Sequence, residues 1–187
     1  MKKYIIAIAT VALLALFYYF IVTENNKIKV AKQIEMARDV EINEKIAGEI
    51  TEDILCEVDG ENKINLSELV KDRPKLIFRF SSAHCASCYE KQISLINEMF
   101  KHSDDVIILC SHNTNRDFLI FKSRNINIPA YRVPKENLKW DTNAPFYFLL
   151  NKNLSVSNIH IPNTDTQQQQ QISIQYLANM QNIINRN

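Results

Sequence analysis

Lys75-Leu76-Ile77-Phe78-Arg79-Phe80-Ser81-Ser82-Ala83-His84-Cys85-Ala86-Ser87-Cys88-Tyr89-Glu90-Lys91-Gln92-Ile93 is the stretch whose reading decides how the chain folds. An apolar, aromatic-rich run of strand character stops at small polar residues. Two cysteines follow at a three-residue offset, and apolar positions then recur at helical spacing through Tyr89, Ile93, Ile96 and Phe100. The order is strand, loop, Cys-x-x-Cys, helix.

The spacing predicts a helix that starts near Cys85, where unpaired backbone N–H groups and the helix dipole favour an anion. A thiol placed there ionises below its free pKa of about 8.5. Cys85 is therefore the candidate attacking thiolate. Cys88, one turn further in and more shielded, is the candidate resolving thiol that closes the disulfide after a mixed-disulfide intermediate. His84, if protonated, adds a positive neighbour that favours the thiolate; the bland alternative is an exposed loop residue.

Working outward, the chain of 187 residues fits one ordinary domain plus an appendage, and 46% apolar residues suffice for a core. A net charge of +1 gives no sign of nucleic-acid binding. Gly48 and Gly60 are the two glycines, so phosphate-cradling glycine loops are excluded. No organic cofactor and no metal is expected.

Lys2 and Lys3 precede an uncharged run from Tyr4 to Val22, whose length of about nineteen residues suits a membrane-spanning helix better than a cleaved signal. Bulky Phe17, Tyr18, Tyr19 and Phe20 end the run without a small-residue cleavage site. The expectation is a signal-anchor over residues 1–22, with membrane contact through residues 4–22. Lys27, Lys29 and Lys32 compete with Lys2 and Lys3 for the cytoplasmic side, so charge leaves the orientation open. All four cysteines follow the span, and paired thiols suit an oxidising compartment. The reading is a single pass through the inner membrane of a bacterium, with the C-terminal domain in the periplasm or extracytoplasmic space. Residues 23–51 read as a charged helical stalk, with Val30, Ile34, Ala37, Ile42, Ile46 and Ile50 at helical intervals but no sustained heptad.

A globular domain is expected over 52–187. Ile54 to Val58 and Lys63 to Leu66 read as strands around an Asp59-Gly60 turn, and Ser67 with Glu68 can cap a short helix. Val106 to Cys110 reads as a strand, followed by a helix capped at Thr114 or Asn115. Strand, Cys-x-x-Cys helix and strand make a βαβ crossover and a parallel pair. Asn125 to Trp140 reads as irregular because of Pro129 and Pro134. Pro145 leads an aromatic strand through Leu150, Val156 to His160 returns beside it, and Ile172, Tyr176, Met180 and Ile183 stripe a closing helix.

This succession resembles the thioredoxin fold, a three-layer α/β arrangement around a mixed sheet. The leading segment, with Val58-Asp59-Gly60 and Leu66-Ser67-Glu68-Leu69, is similar to that of membrane-anchored thiol–disulfide oxidoreductases of the TlpA-like and cytochrome-maturation kind. The resemblance spans about Glu52 to Asn187 and implies that Pro145 is cis, that Ala144 and Pro145 form the substrate groove, and that Cys85 and Cys88 are catalytic. It implies cysteine-containing protein substrates and a redox partner protein. The chain departs from the family at His84, at Ala86-Ser87, at Ile93 and at Arg79, where thioredoxin keeps tryptophan, proline, proline and a buried acid. Arg79 could pair with Glu90 or with the chain elsewhere, or as a strand-end arginine reach solvent.

Three rival readings stand beside this one. Cys85, Cys88, Cys110 and His112 could hold zinc, and His112 or His160 could serve a copper-handling variant. A tethered, non-enzymatic partner-binding domain has no need of paired thiols at a strand–helix junction. A peroxiredoxin-like site lacks its approach loop at Ser81 to His84. Cys56 and Cys110 read as buried packing residues, or as a structural disulfide.

Overall fold

A computed structural model describes residues 2–49, 51–101, 103–124, 127–133, 144–163 and 166–186, without the side chains of 2–11, 31, 35 and 38. The chain divides into two compact units, Met1–Ala37 and Arg38–Asn187. Helix α1 (Lys2–Ile46) supplies the first unit and opens the second. Among the described residues no helix is long and apolar enough to cross a membrane. The side chains of residues 4–11, which belong to the expected Tyr4–Val22 span, lie outside the described residues.

The second unit is built on a seven-stranded sheet in the order β2-β1-β5-β4-β3-β6-β7. Its strands are β1 (Leu55–Glu57), β2 (Lys63–Asn65), β3 (Lys75–Ser81), β4 (Val106–Ser111), β5 (Ala130–Arg132), β6 (Phe146–Leu150) and β7 (Val156–His160). Every residue of β3, β4 and β6 is buried. Their near-continuous apolar runs are what a strand covered on both faces requires. β3 runs parallel to β4 and antiparallel to β6, and β4 runs parallel to β5.

Side chains alternate across β3 and divide the core in two. Leu76, Phe78 and Phe80 face a cluster with Ile93 and Ile96 of α3 (Ala86–Met99), Phe118 of α4 (Asn115–Ser123) and Leu177 of α5 (Gln167–Ile184). Ile77 joins Leu66 and Val70 of α2 (Leu66–Val70), Phe146, Phe148 and Val156, with Ile42 and Ile46 of α1 packed against them. The expected three layers around a mixed sheet are present. Both crossovers, β3-α3-β4 and β4-α4-β5, step the same way across the sheet, so α3 and α4 lie parallel on one face.

Several local readings are corrected. Ala130–Arg132, in the stretch expected to be irregular, is a strand: three residues between prolines suffice because β4 and β1 pair it on both sides. Leu66 opens α2 rather than ending β2, and its start is capped by Asp53, whose carboxylate accepts from Ser67 N at 2.8 Å and Ser67 Oγ at 2.7 Å. The buried stripe of α5 is Ser173, Leu177, Met180 and Ile184, with Tyr176 and Ile183 on its flank. Thr166 and Gln169 close a reciprocal capping box at its N-terminus. Arg79 does not reach solvent; it is fully buried, and its Nη1 donates to Phe80 O at 3.0 Å.

The compact unit takes in residues that the sequence assigns to the stalk, because the end of α1 is fastened to β7. Asn43 pairs with the strand edge like another strand: Ile159 N donates to its Oδ1 and its Nδ2 donates to Ile159 O, both at 2.8 Å. One turn earlier, the Asp39 carboxylate lies 2.5 Å from His160 Nδ1.

Candidate functional site

β3 ends at Ser81, and a tight turn delivers the chain to α3. His84 N donates to Ser81 O at 2.9 Å, and Ala83 N donates to Ser81 Oγ at 3.3 Å. Ser81 N donates in return to His84 Nδ1 at 3.1 Å. An imidazole nitrogen that accepts a backbone N–H carries no proton, so this bond requires the other ring nitrogen to bear the hydrogen. Ser82 N donates to Ser111 O at 2.8 Å, which ties the turn to the end of β4.

Cys85 is the N-cap residue of α3, at φ −55° and ψ 118°, and it is exposed. Its carbonyl accepts the opening bonds of the helix, from Cys88 N at 3.1 Å and Tyr89 N at 3.3 Å. Its Sγ lies 3.1 Å from Ser87 Oγ. Hydrogen bonds from the Cys88 thiol, the Ser87 hydroxyl and the Cys88 and Ser87 backbone amides lower the Cys85 thiol to about 7. The thiol therefore ionises more readily than a free one. Cys88 sits one turn on and is half-buried. The two thiols expected to act together are thus one helical turn apart and unequal in exposure.

The sheet holds this helix by a bond that the sequence reading missed. Gln92 is buried, and its Oε1 accepts from Tyr147 Oη at 2.8 Å, joining α3 to β6. Only the oddity of a glutamine on an apolar helix face could have signalled it. Tyr89 lies stacked on Phe80 at a ring separation of 4.4 Å.

Arg79 of β3 faces Phe146 of β6. Continuing that antiparallel register sets Pro145 at the level of Phe80 and Ala144 at the level of Ser81, at the edge from which Cys85 emerges. Pro145 is buried and Ala144 half-buried. The expected cis bond is corrected: no cis peptide bond occurs among the described residues, so Ala144–Pro145 is trans. Trans is the default even before proline, by about 0.5–1 kcal/mol.

The remaining candidates are held apart. Cys56 and Cys110 are both free and buried, in the clusters on opposite faces of the sheet, so no disulfide joins them. Burial pushes each thiol up to about 12. His112 packs against Phe80, Phe118 and Phe121, and burial lowers its pKa. Among the described residues no group of three or more His, Cys, Asp or Glu is placed to hold a metal ion. His160 is engaged by Asp39 on one side and, through Nε2 at 3.2 Å, by Ser173 Oγ on the other. The Asp–His–Ser order evokes a hydrolase relay, but Ser173 is wholly buried and meets no substrate.

No family model matches the chain, and no curated protein matches it in sequence. Its fold is similar to that of a Chlorobium tepidum protein assigned as the thiol:disulfide interchange protein DsbE, at 16% identity and a TM-score of 0.54. That match covers 72% of this chain and 97% of the other. It is also similar to MTB dsbF in its mixed oxidized and reduced forms, at 8% identity and a TM-score of 0.51, over 68% of this chain and 95% of that one. The second unit therefore has a thioredoxin-like fold.

Proposed function

We propose that the chain is a thiol–disulfide oxidoreductase acting on cysteine-containing proteins through Cys85 and Cys88. The observation that carries this is Cys85 itself: an exposed helix N-cap thiol lowered to about 7, one turn from a half-buried second thiol. An attacking thiol works best when its pKa lies near the ambient pH. Likeness in fold to an interchange protein supports the reading without supplying the site.

In the reducing direction the Cys85 thiolate attacks one sulfur of a substrate disulfide. A Cys85–substrate disulfide forms and the other substrate sulfur leaves as a thiolate. Cys88 then gives up its proton and attacks Cys85 Sγ, closing the Cys85–Cys88 disulfide and releasing the second substrate thiolate. Two electrons pass to the substrate, and a redox partner protein restores the dithiol; oxidation of a substrate is the same sequence reversed. No metal or organic group takes part.

Ala144 and Pro145 flank the substrate, as their register beside the end of β3 supports. His84 tunes Cys85 by fixing the preceding turn through Ser81 rather than by its charge, since protonating Nδ1 would break that bond. Residues 4–22 anchor the chain so that the catalytic unit works outside the cytoplasmic membrane. Within the first unit, Leu13, Leu14, Leu16, Phe17, Tyr18, Tyr19 and Phe20 are each 64% exposed or more. Seven apolar side chains in eight consecutive helical positions cover every side of a helix, as a lipid-facing segment requires.

Trapping tests the assignment. Cys88→Ser should accumulate mixed disulfides through Cys85, and Cys85→Ser should trap none and lose exchange. Equal loss in both variants with nothing trapped would sink the assigned order.

A further inference from the structure

The parallel helices α3 and α4 enclose a groove of about 540 Å³ that the exchange chemistry does not use. Its volume lies within the range of ligand sites, roughly 300–1,000 Å³. Its wall is continuous with the active site: Tyr89, the residue after Cys88, lines it. The floor is apolar, formed by Ile93 with Ile120 and Phe121, and Ile120 is left 38% exposed.

The charges are sorted along the groove. Asp117 lies in the first turn of α4 and Glu90 in the second turn of α3, so both carboxylates stand toward the end of the groove beside Cys88. Arg124 stands at the other end, opposite Asn97. Among the described residues no ion pair engages Glu90 or Arg124. His112 borders the acidic end, and burial favours its neutral form, so it does not offset those carboxylates. Asp117 and Arg124 are seven helical positions apart, about 10 Å. An extended peptide covers that distance in about three residues.

We propose that this groove docks the part of a protein substrate that flanks its reactive cysteine. It takes a Lys or Arg at the end beside Cys88, apolar side chains along the middle, and an Asp or Glu about three residues further on. The proposal rests on the exchange reading and adds to it the sequence that a preferred substrate carries.

The test uses the full-length chain and two blocked peptides, each carrying its cysteine as a mixed disulfide with thionitrobenzoate. In one peptide Cys-Arg-Leu-Val-Asp sets the charges in the proposed order; in the other, Cys-Asp-Leu-Val-Arg reverses them. Attack of Cys85 on the peptide sulfur forms the Cys85–peptide disulfide and expels thionitrobenzoate, whose absorbance gives the rate. The first peptide should react at least about fivefold faster than the second, as two modest ion pairs turned to repulsion imply. In the doubly substituted Glu90→Arg, Arg124→Glu chain the ratio should invert, and the ratio is independent of any change in the thiol's own reactivity. In the unsubstituted chain the preference should collapse in 1 M salt. Rates for the two peptides that agree within about twofold, or a preference that survives both the charge swap and salt, would overturn the groove. Absence of reaction with both peptides and with a small aryl disulfide would instead overturn the exchange reading, and the groove with it.

Discussion

Removing one hydroxyl from β6 tests how the catalytic helix is held. Tyr147 and Gln92 are both buried, 0% and 2% exposed, and the Tyr147 Oη bond to Gln92 Oε1 spans 2.8 Å. Tyr147→Phe keeps the ring, which packs 4.7 Å from Phe78, and strands a buried amide oxygen. Leaving such a group without a donor costs about 1–3 kcal/mol. A domain of 150–250 residues loses about 2–4 °C per kcal/mol, so the melting temperature should fall by roughly 2–12 °C. Gln92→Leu alone strands the tyrosine hydroxyl instead and should cost a similar amount. The double variant strands neither group, so its loss should fall short of the sum by about 1–2 kcal/mol. Denaturant unfolding followed by circular dichroism measures all four corners of the cycle. Tyr147→Phe within about 0.5 kcal/mol of the parent, or two additive losses, would refute the bond as the tie between α3 and the sheet.

Other consequences follow from the same structure. Asp39→Asn should destabilise the domain by about 1–3 kcal/mol by unseating the buried His160, and Asn43→Ala should speed amide hydrogen exchange at Ile159, read by mass spectrometry. Alkylation of native Cys85 should rise tenfold per pH unit at low pH and level off above about 7; a midpoint near that of a free thiol would contradict the hydrogen bonds to its sulfur. Because folding lowers this thiol, its contribution to stability is complete above the unfolded pKa of about 8.5 and is lost as pH falls through about 7, so the reduced parent should lose more stability between pH 9 and pH 6 than the Cys85→Ser variant does, which leaves the other thiols in common. Cys56 and Cys110, raised to about 12, should resist alkylation at pH 8 until the chain is denatured.

What the sequence made legible was local. The run into Ser81, the cysteine spacing and the helical recurrence after Cys88 lie within a few turns of one another, and β3, the N-cap position of Cys85 and α3 form as that stretch implies. The Pro145-led strand and its partner were likewise readable from neighbouring residues. What escaped depends on partners remote in the chain. β5 is three residues long and exists because β4 and β1 flank it. Asp39 meets His160 across 121 positions, which no periodicity in the stalk reveals. Gln92 and Tyr147 are 55 positions apart. Met180 of the α5 stripe packs as expected, while the other three positions moved by one residue, to Ser173, Leu177 and Ile184, with the small Ser173 facing His160.

Equilibrium titration of the full-length chain against dithiol and glutathione buffers, with the redox state of Cys85 and Cys88 read by thiol labelling, tests the central claim most directly. The account predicts one reversible two-electron transition confined to this pair, at a potential between about −120 and −270 mV. Cysteines that stay reduced across that range, or a two-electron transition without bound glutathione that persists when Cys88 is replaced by serine, would contradict it.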